Sequence, residues 1–446
     1  DSAGQAGSAA TNKITKIDTV EPVIETIKSA VSSAISTEAK LSTTVNDVNS
    51  GLSKIVWQWG TTTSFGSSKT DTYTEMNGST TGTKESITAT CELKGLSAGT
   101  KYYARVIVYD VAGNQKTSST IEFTTGAGVA QVGDTIYTSL QNAITATTTG
   151  TVKMLSNTTI STTVTIASNK NIILNLNGKT IAGTNNVITI RNAGYLTITG
   201  NGKISQIDAN AIYNDSSGTV VFNSGTINGT SGWTIYNEGN FNFNGGNLQT
   251  TGSNAGVAVM NLNRFTINGG SITSVGYGIV DRGTNARLKA QNATLQITGS
   301  DKNVIHHEAG KATFDNCVLK TVQSTSTSAA VCNFTSSYTD VIIKSRASNY
   351  GISGNVFGKA FATTNVSAGQ SQENMTIFNT GYSSLCWATW TNVNGQDDLT
   401  WETTSSSGTH TYTVKKANHN NETGTYTVHI YDDSRTVFIG GIELVF

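Results

Sequence analysis

A repeat of about 23 residues runs through the middle of the chain and limits its fold more tightly than any other feature. Three apolar columns recur in step. The first is Ile190, Ile212, Ile235, Val259, Ile279, Ile305 and Val331, at intervals of 22, 23, 24, 20, 26 and 26 residues. The second is Ile198, Phe222, Phe243, Ile267, Ala290 and Phe314; the third is Ile204, Ile227, Leu248, Ile272, Leu295 and Leu319. Each unit reads as short strands parted by Asn and Gly, as in Phe265-Thr-Ile-Asn-Gly-Gly-Ser-Ile272. Such a period without helical spacing marks a β-solenoid. A leucine-rich repeat would need a Leu-x-x-Leu-x-Leu pattern, which is missing. The expected fold is all-β: a right-handed parallel β-helix flanked by two small β-sandwich domains.

Composition narrows the function classes. Only 13% of residues are charged and the formal net charge is +0, so no basic stripe for nucleic acid is expected. Thr, Val and Ile favour strands, while Asn and Gly supply tight and left-handed turns. No apolar run reaches the 18 residues of a membrane span. No signal peptide is visible and the chain starts at Asp1, as expected of a mature or trimmed product. Cys91, Cys317, Cys332 and Cys386 lie far apart without a CxxC motif, which favours structural free thiols over a Cys317–Cys332 bridge.

Residues 1–13 are small and polar and read as a flexible leader. Residues 14–125 alternate with period two, as in Ile55-Val-Trp-Gln-Trp59 and Ile87-Thr-Ala-Thr-Cys91, and are expected to form a β-sandwich. Within them, the segment from Leu93 through Tyr102-Tyr-Ala-Arg-Val-Ile-Val108 to Asp110-Val-Ala-Gly-Asn114 resembles the fibronectin type III family. That resemblance implies a spacer or adhesion module without catalytic residues. Residues 126–370 are assigned to the β-helix. Its opening, Val132 to Ile144 and then Asn171-Ile-Ile-Leu-Asn-Leu-Asn-Gly-Lys-Thr-Ile181, is similar to β-helix domains of Gram-positive surface proteins. It implies a capping helix with Leu140, Ala143 and Ile144 facing the first rung. The stretch 346–370 reads as an exit cap or linker. Residues 371–446, with Trp387-Ala-Thr-Trp390, Asn394 to Trp401 and His419 to Tyr431, resemble the Bsp-like repeat, a further small β-sandwich that accompanies catalytic domains in that family.

Candidate chemistry follows from the register. Two positions beyond the first column lie Asn192, Asn214, Asn237, Asn261, Asp281, His307 and Asn333, expected to form an inward ladder of amides that Asp281 and His307 interrupt. With Arg282 beside them, this acid and base also form the candidate catalytic set of a polysaccharide lyase or hydrolase. A satisfied internal pair is the structural alternative. Dense basic residues along one groove would favour the enzyme, and only Arg282, Arg287 and Lys289 come near in the sequence. The positions between, Arg191, Tyr213, Tyr236, Met260, Val280, His306 and Cys332, are expected to face solvent, with Tyr213 and Tyr236 a stacked platform for sugar rings. Asn394 to Asp398 and Asp432-Asp433 match no calcium-loop spacing and read as solvated turns. No metal site and no cofactor are expected.

The combined expectation is an extracellular protein, secreted or on a cell surface. Its role would be adhesive or structural, and its partner a cell-wall or host glycan. The alternatives are a carbohydrate-active β-helix enzyme, or a phage tail-spike or filament subunit that self-associates, for instance as a trimer.

Overall fold

The computed structural model describes residues 18–77, 86–252, 256–322, 328–345, 350–364 and 370–446; the leader expected at 1–13 lies outside them. The chain divides into two compact units, one spanning residues 1–128 with 134–139, the other 129–133 with 140–446. In the first unit, Ala39–Asn46 pairs with Val23–Ile24, Lys28–Val31 and Ile87–Leu93. A second sheet joins Ser67–Thr72, Leu52–Gly60, Lys101–Asp110, Gln115–Thr117 and Ile121–Thr124. Alternate residues turn inward, and Leu41, Val45, Ile55, Trp57, Cys91 and Val106 form one shared core. The Tyr102 hydroxyl accepts the Ser97 N–H at 2.9 Å and so ties the turn to the strand that follows it.

The second unit is a parallel β-helix. Three parallel sheets run along it, and every rung adds one strand to each. The first sheet runs from Thr149–Met154 and Asn171–Asn175 through Arg264–Ile267 to Val341–Ser345 and Ala360–Thr364. The second starts at Thr158–Ile160 and the third at Val164–Ile166, with nine strands each. All three apolar columns of the sequence are in direct register, as in Ile212↔Ile235, Phe222↔Phe243 and Ile227↔Leu248. Their members are at most 1% exposed. The first sheet carries a further inward column, Ile172, Leu196, Val220, Phe241, Phe265, Leu288 and Ala312, because its strands are long enough to turn two residues inward. Bulk is traded between these columns: small Ala312 sits two residues before Phe314, while Phe265 precedes Ile267. Stacked rings, Phe222 on Phe243 at 5.2 Å and Phe241 on Phe265 at 5.0 Å, fill the middle rungs.

The turn between the first and second sheets is close-packed. Gly246 and Gly270 take φ of 81° and 82°. A Cβ at either would meet the preceding rung's glycine carbonyl at 2.5 or 2.6 Å. Asn292 and Asn316 take over this left-handed role one and two rungs later, at φ 52°.

Both ends of the solenoid are covered. Helix Leu140–Ala146 buries Leu140, Ala143 and Ile144. Lys170 donates to the carbonyls of Ile144, Thr145 and Thr147 at its C-terminus, where the helix dipole favours a cation. The Gln141 side chain accepts the Thr165 N–H at 2.7 Å on the open edge of the first third-sheet strand. At the other end, the stretch read as a cap or linker contributes one more rung, Gly351–Ser353, Asn355–Phe357 and Ala360–Thr364. Ala360–Thr364 then pairs antiparallel with Gln372–Phe378, which pairs with His410–Lys415, so the first sheet runs on into the C-terminal module. Tyr338 and Phe361 from the solenoid join Trp387, Tyr412, Tyr426 and Val428 in a single core. Phe243→Ala should cost about 3–5 kcal/mol by the cavity it leaves among stacked rings, read as a lowered denaturant midpoint of the intact chain.

Candidate functional site

The corner between the third and first sheets holds a buried polar file. Asn192 donates to Asn214 at 2.9 Å, Asn214 to Asn237 at 2.8 Å, Asn237 to Asn261 at 2.8 Å and Asn261 to the Asp281 carboxylate at 2.7 Å. Their remaining amide protons go to backbone carbonyls such as Gly194 and Gly218. From the next rung, His307 Nδ1 meets the other Asp281 oxygen at 2.9 Å. Asp281 is thus the end point toward which both sides of the file point, and each donor polarises the next. Both side chains are 0% exposed. Burial raises the Asp281 carboxyl above the ordinary carboxylate range, although His307 and Asn261 oppose the shift. His307 Nε2 finds no partner among the described residues. Asn333, the next in line, turns instead to the carbonyls of Ser337 and Lys359.

Arg282 is not brought into this pair. It faces outward and forms a two-pronged ion pair with Glu308, both contacts 2.7 Å, which holds the Glu308 carboxyl below its usual range. The candidate catalytic set Asp281, His307 and Arg282 is therefore split by the sheet: the acid and base are sealed inside and the guanidinium lies outside. A substrate cannot touch the first two without opening the rung.

The outer face of the third sheet places Tyr213 over Tyr236 with centroids 4.9 Å apart and planes 16° apart. Arg191, itself paired with Asp215, lies 5.1 Å over the Tyr213 ring. Trp233, 42% exposed, leans on Tyr236 at 5.0 Å. Burial and the nearby Glu238 push the Tyr213 hydroxyl up to about 12. The same column is not open throughout. Met260 and Val280, expected in solvent, are each 4% exposed and form a small apolar cluster with Val257, flanked by Tyr236, Leu262 and Tyr277. Val257 and Tyr277, three residues before Met260 and Val280 on the same two strands, pack against them and cover the column with apolar side chains. Beyond the roof, His306 meets the Tyr277 edge at 5.2 Å and Phe334, 61% exposed, at 4.7 Å.

A second aromatic surface was not foreseen from the sequence. The C-terminal sheet, in the order Thr400–Ser405, Ser384–Thr391, Thr425–Asp432, Phe438–Val445, turns Trp387, Val428 and Ile430 to the core. Its other face carries Trp401 and Tyr431 at 5.6 Å, Tyr431 and Phe438 at 5.5 Å, Phe438 and His429 at 5.1 Å, and His429 and Trp390 at 4.8 Å. Arg435 lies 4.3 Å over Trp401. Trp401 and Phe438 are 38% and 55% exposed. A groove of about 440 Å³ adjoins the row, with Thr427, His429, Phe438 and Glu443 in its wall. The signal lay in the alternation of Tyr426 to Tyr431, which puts His429 and Tyr431 opposite the core side.

Asp398, expected in a solvated turn, is instead buried: it accepts the Thr391 N–H at 2.9 Å and meets His419 Nδ1 at 3.0 Å. Asp432 is satisfied by its own turn, with Thr436 and Val437 N–H groups at 2.7 and 2.9 Å. In the first unit, Asp18, Asp47 and Asp110 bring carboxylate oxygens within 4.8 Å of one another. Backbone N–H groups of Ser50, Gly51 and Asn114 occupy them, which accounts for the cluster as a loop anchor. The four cysteines are free thiols, and Cys317 and Cys332 are not bridged.

The sequence signature of the GBS Bsp-like repeat matches residues 363–440, the segment that carries most of this aromatic sheet. No curated protein matches the chain. Among solved structures, the chain is similar to pectate lyase PelI from Erwinia chrysanthemi in complex with tetragalacturonic acid, at 13% identity over 77% of this chain and 90% of that one, with a TM-score of 0.15. It is also similar to a pectate lyase from Pectobacterium carotovorum, at 10% identity over 75% and 90%, with a TM-score of 0.14. Nothing about activity follows from superpositions this loose.

Asp281→Ala should destabilise the chain by about 3–5 kcal/mol, since it leaves buried donors unmet, while Asp281→Asn should cost about 1 kcal/mol because an amide continues the file. Denaturant midpoints of the two variants check this. The raised Asp281 carboxyl means the folded state holds its proton more tightly than the unfolded chain. That contribution is complete at low pH and fades as pH rises through the folded value, a fade the Asn variant should lack in pH-dependent melting.

Proposed function

We propose that this is a secreted or cell-surface protein of adhesive or structural role, which holds a glycan against its aromatic surfaces and does not cleave it. The observation that carries this reading is the open aromatic row Trp401–Tyr431–Phe438–His429 on the C-terminal sheet. Pyranose rings offer an apolar C–H face and a rim of hydroxyls. Exposed rings beside Thr427, Glu443 and Arg435 supply a match for both. The Tyr213–Tyr236–Trp233 stack supports the same chemistry on the rod. Cleavage would need an acid or base within reach of substrate. The buried His–carboxylate pairs, Asp281–His307 and Asp398–His419, are closed to solvent. Several weak contacts on one rigid body, and many copies on one surface, raise avidity beyond any single contact.

The intact chain should be retained on at least one insoluble neutral glycan such as cellulose, chitin or a cell-wall preparation. The pair Trp401→Ala and Phe438→Ala should weaken that retention by about tenfold, in line with one to two lost ring-stacking contacts. No reducing ends or unsaturated products should appear with pectin, alginate or peptidoglycan. Products that vanish in Asp281→Asn, which keeps the fold, would establish the enzymatic reading instead. A trimer in native mass measurement would favour the tail-spike reading.

A further inference from the structure

The first sheet of the β-helix carries a basic column on its outer face. Arg264 pairs in register with Arg287, and Arg287 with Lys311, so three consecutive rungs place a cation at one position. Lys289, two residues along the strand, stands beside them, opposite Thr266 and Thr313. These six residues line an open groove of about 290 Å³ on the rod, and none of its lining residues is acidic. The sequence pointed to Arg287 and Lys289 together with Arg282. The register replaces Arg282, which lies elsewhere, by Arg264 and Lys311.

The column is costly for the folded protein by itself. Adjacent rungs are about 4.8 Å apart, and like charges directly opposite one another destabilise a sheet. The same position in the preceding rungs is neutral: Tyr195, Thr219 and Asn240. Lys311 is matched by Asp340 at 2.5 Å at one end of the column, and Arg287 donates to its neighbour's carbonyl, Ala286, at 2.9 Å. No described carboxylate forms an ion pair with Arg264, Arg287 or Lys289. In a chain of zero net charge with few charged residues, three such cations in one groove form a concentrated positive field.

We infer that this groove binds an acidic polysaccharide that lies along the rod axis, with its anionic groups engaging the unpaired cations. The rung spacing is about the length of one sugar residue, so a chain lying along the axis brings its charges within reach of Arg264, Arg287 and Lys289 over the same few rungs. Arg in particular engages planar carboxylate or sulfate groups through two parallel N–H donors. A single-stranded nucleic acid would require aromatic side chains to stack its bases, and the groove offers Thr266 and Thr313 between its cations instead. This inference is independent of the aromatic surfaces proposed above, because it concerns another face and another chemistry.

Binding of the full-length chain to immobilised alginate and to dextran sulfate, with uncharged dextran as control, tests it. Alginate carries carboxylates and dextran sulfate carries sulfates, so the two arms distinguish the source of the charge. The expected result is retention on at least one of them that falls steeply with salt, and at least a tenfold loss in the double variant Arg264→Gln, Arg287→Gln. Because the column is repulsive in the free protein, this variant should melt at the same temperature as the parent or higher, which separates lost binding from lost folding. Trp401→Ala with Phe438→Ala should leave acidic-glycan binding intact, so failure of either proposal is visible without the other. Absence of binding to both acidic polymers overturns the inference. So does unchanged binding in the double variant, or equal capture of oligo(dT) or of phosphatidylserine vesicles through the same residues.

Discussion

Everything in the β-helix depends on one constraint: each rung lies in register on the one before, so every residue meets its counterpart about 4.8 Å away along the axis. The backbone bonds of the parallel sheets enforce this spacing, and the side chains must then be compatible with copies of themselves. Apolar residues satisfy the condition by stacking, as Ile212, Ile235, Val259 and Ile279 do. Amides satisfy it by acting as donor to one neighbour and acceptor to the other. Phenyl rings satisfy it by offset stacking, as at Phe222 and Phe243. Like charges do not satisfy it at all, and for that reason the Arg264–Arg287–Lys311 column stands out physically.

The buried file of amides shows how a polar column is kept inside without unmet donors. Each Asn hands a proton to the next rung and spends the other on a corner carbonyl, and the file ends on the carboxylate of Asp281. An outer counterpart runs at another corner, where Asn244 donates to Asn223, Asn268 to Asn244 and Gln291 to Asn268. The two files run in opposite directions along the axis. The inner one is closed off by an acid–base pair that solvent does not reach, and its bonds from rung to rung hold the coil in register.

The surfaces that are open carry a different character. Rings and hydroxyls dominate the outer faces at Tyr213, Tyr236 and Trp233 and on the C-terminal sheet, and cations line one groove. The C-terminal module shares both a sheet and a core with the last rungs, so its aromatic row is held by the same rigid body as the solenoid. A rod of this construction presents its contacts at fixed spacings. Fixed spacing favours long repeating ligands over small molecules, because each added contact needs no further ordering of the protein.

Much of this was legible in the sequence because a solenoid's neighbours are set by its period. Counting from Ile190 by about 23 residues found the apolar columns, the amide file with Asp281 and His307 in consecutive rungs, and the Tyr213–Tyr236 stack. The same count, started from Ile267, Ala290 and Phe314 and moved back three residues, reaches Arg264, Arg287 and Lys311. What the period does not carry is anything fixed by side-chain packing or by distant pairing. Met260 and Val280 are covered because Val257 and Tyr277 fold over them, and the separation of Arg282 from Asp281 depends on which way one side chain turns at a corner. The aromatic row of the C-terminal sheet joins Trp401, Tyr431 and Phe438 across strands whose order follows no repeat. The sequence by itself determined the coil and its register, since hydrophobic periodicity dictates which faces turn inward. Only the tertiary structure decided which outward residues meet on the C-terminal sheet, because antiparallel neighbours are chosen by packing over the whole module and not by any local spacing.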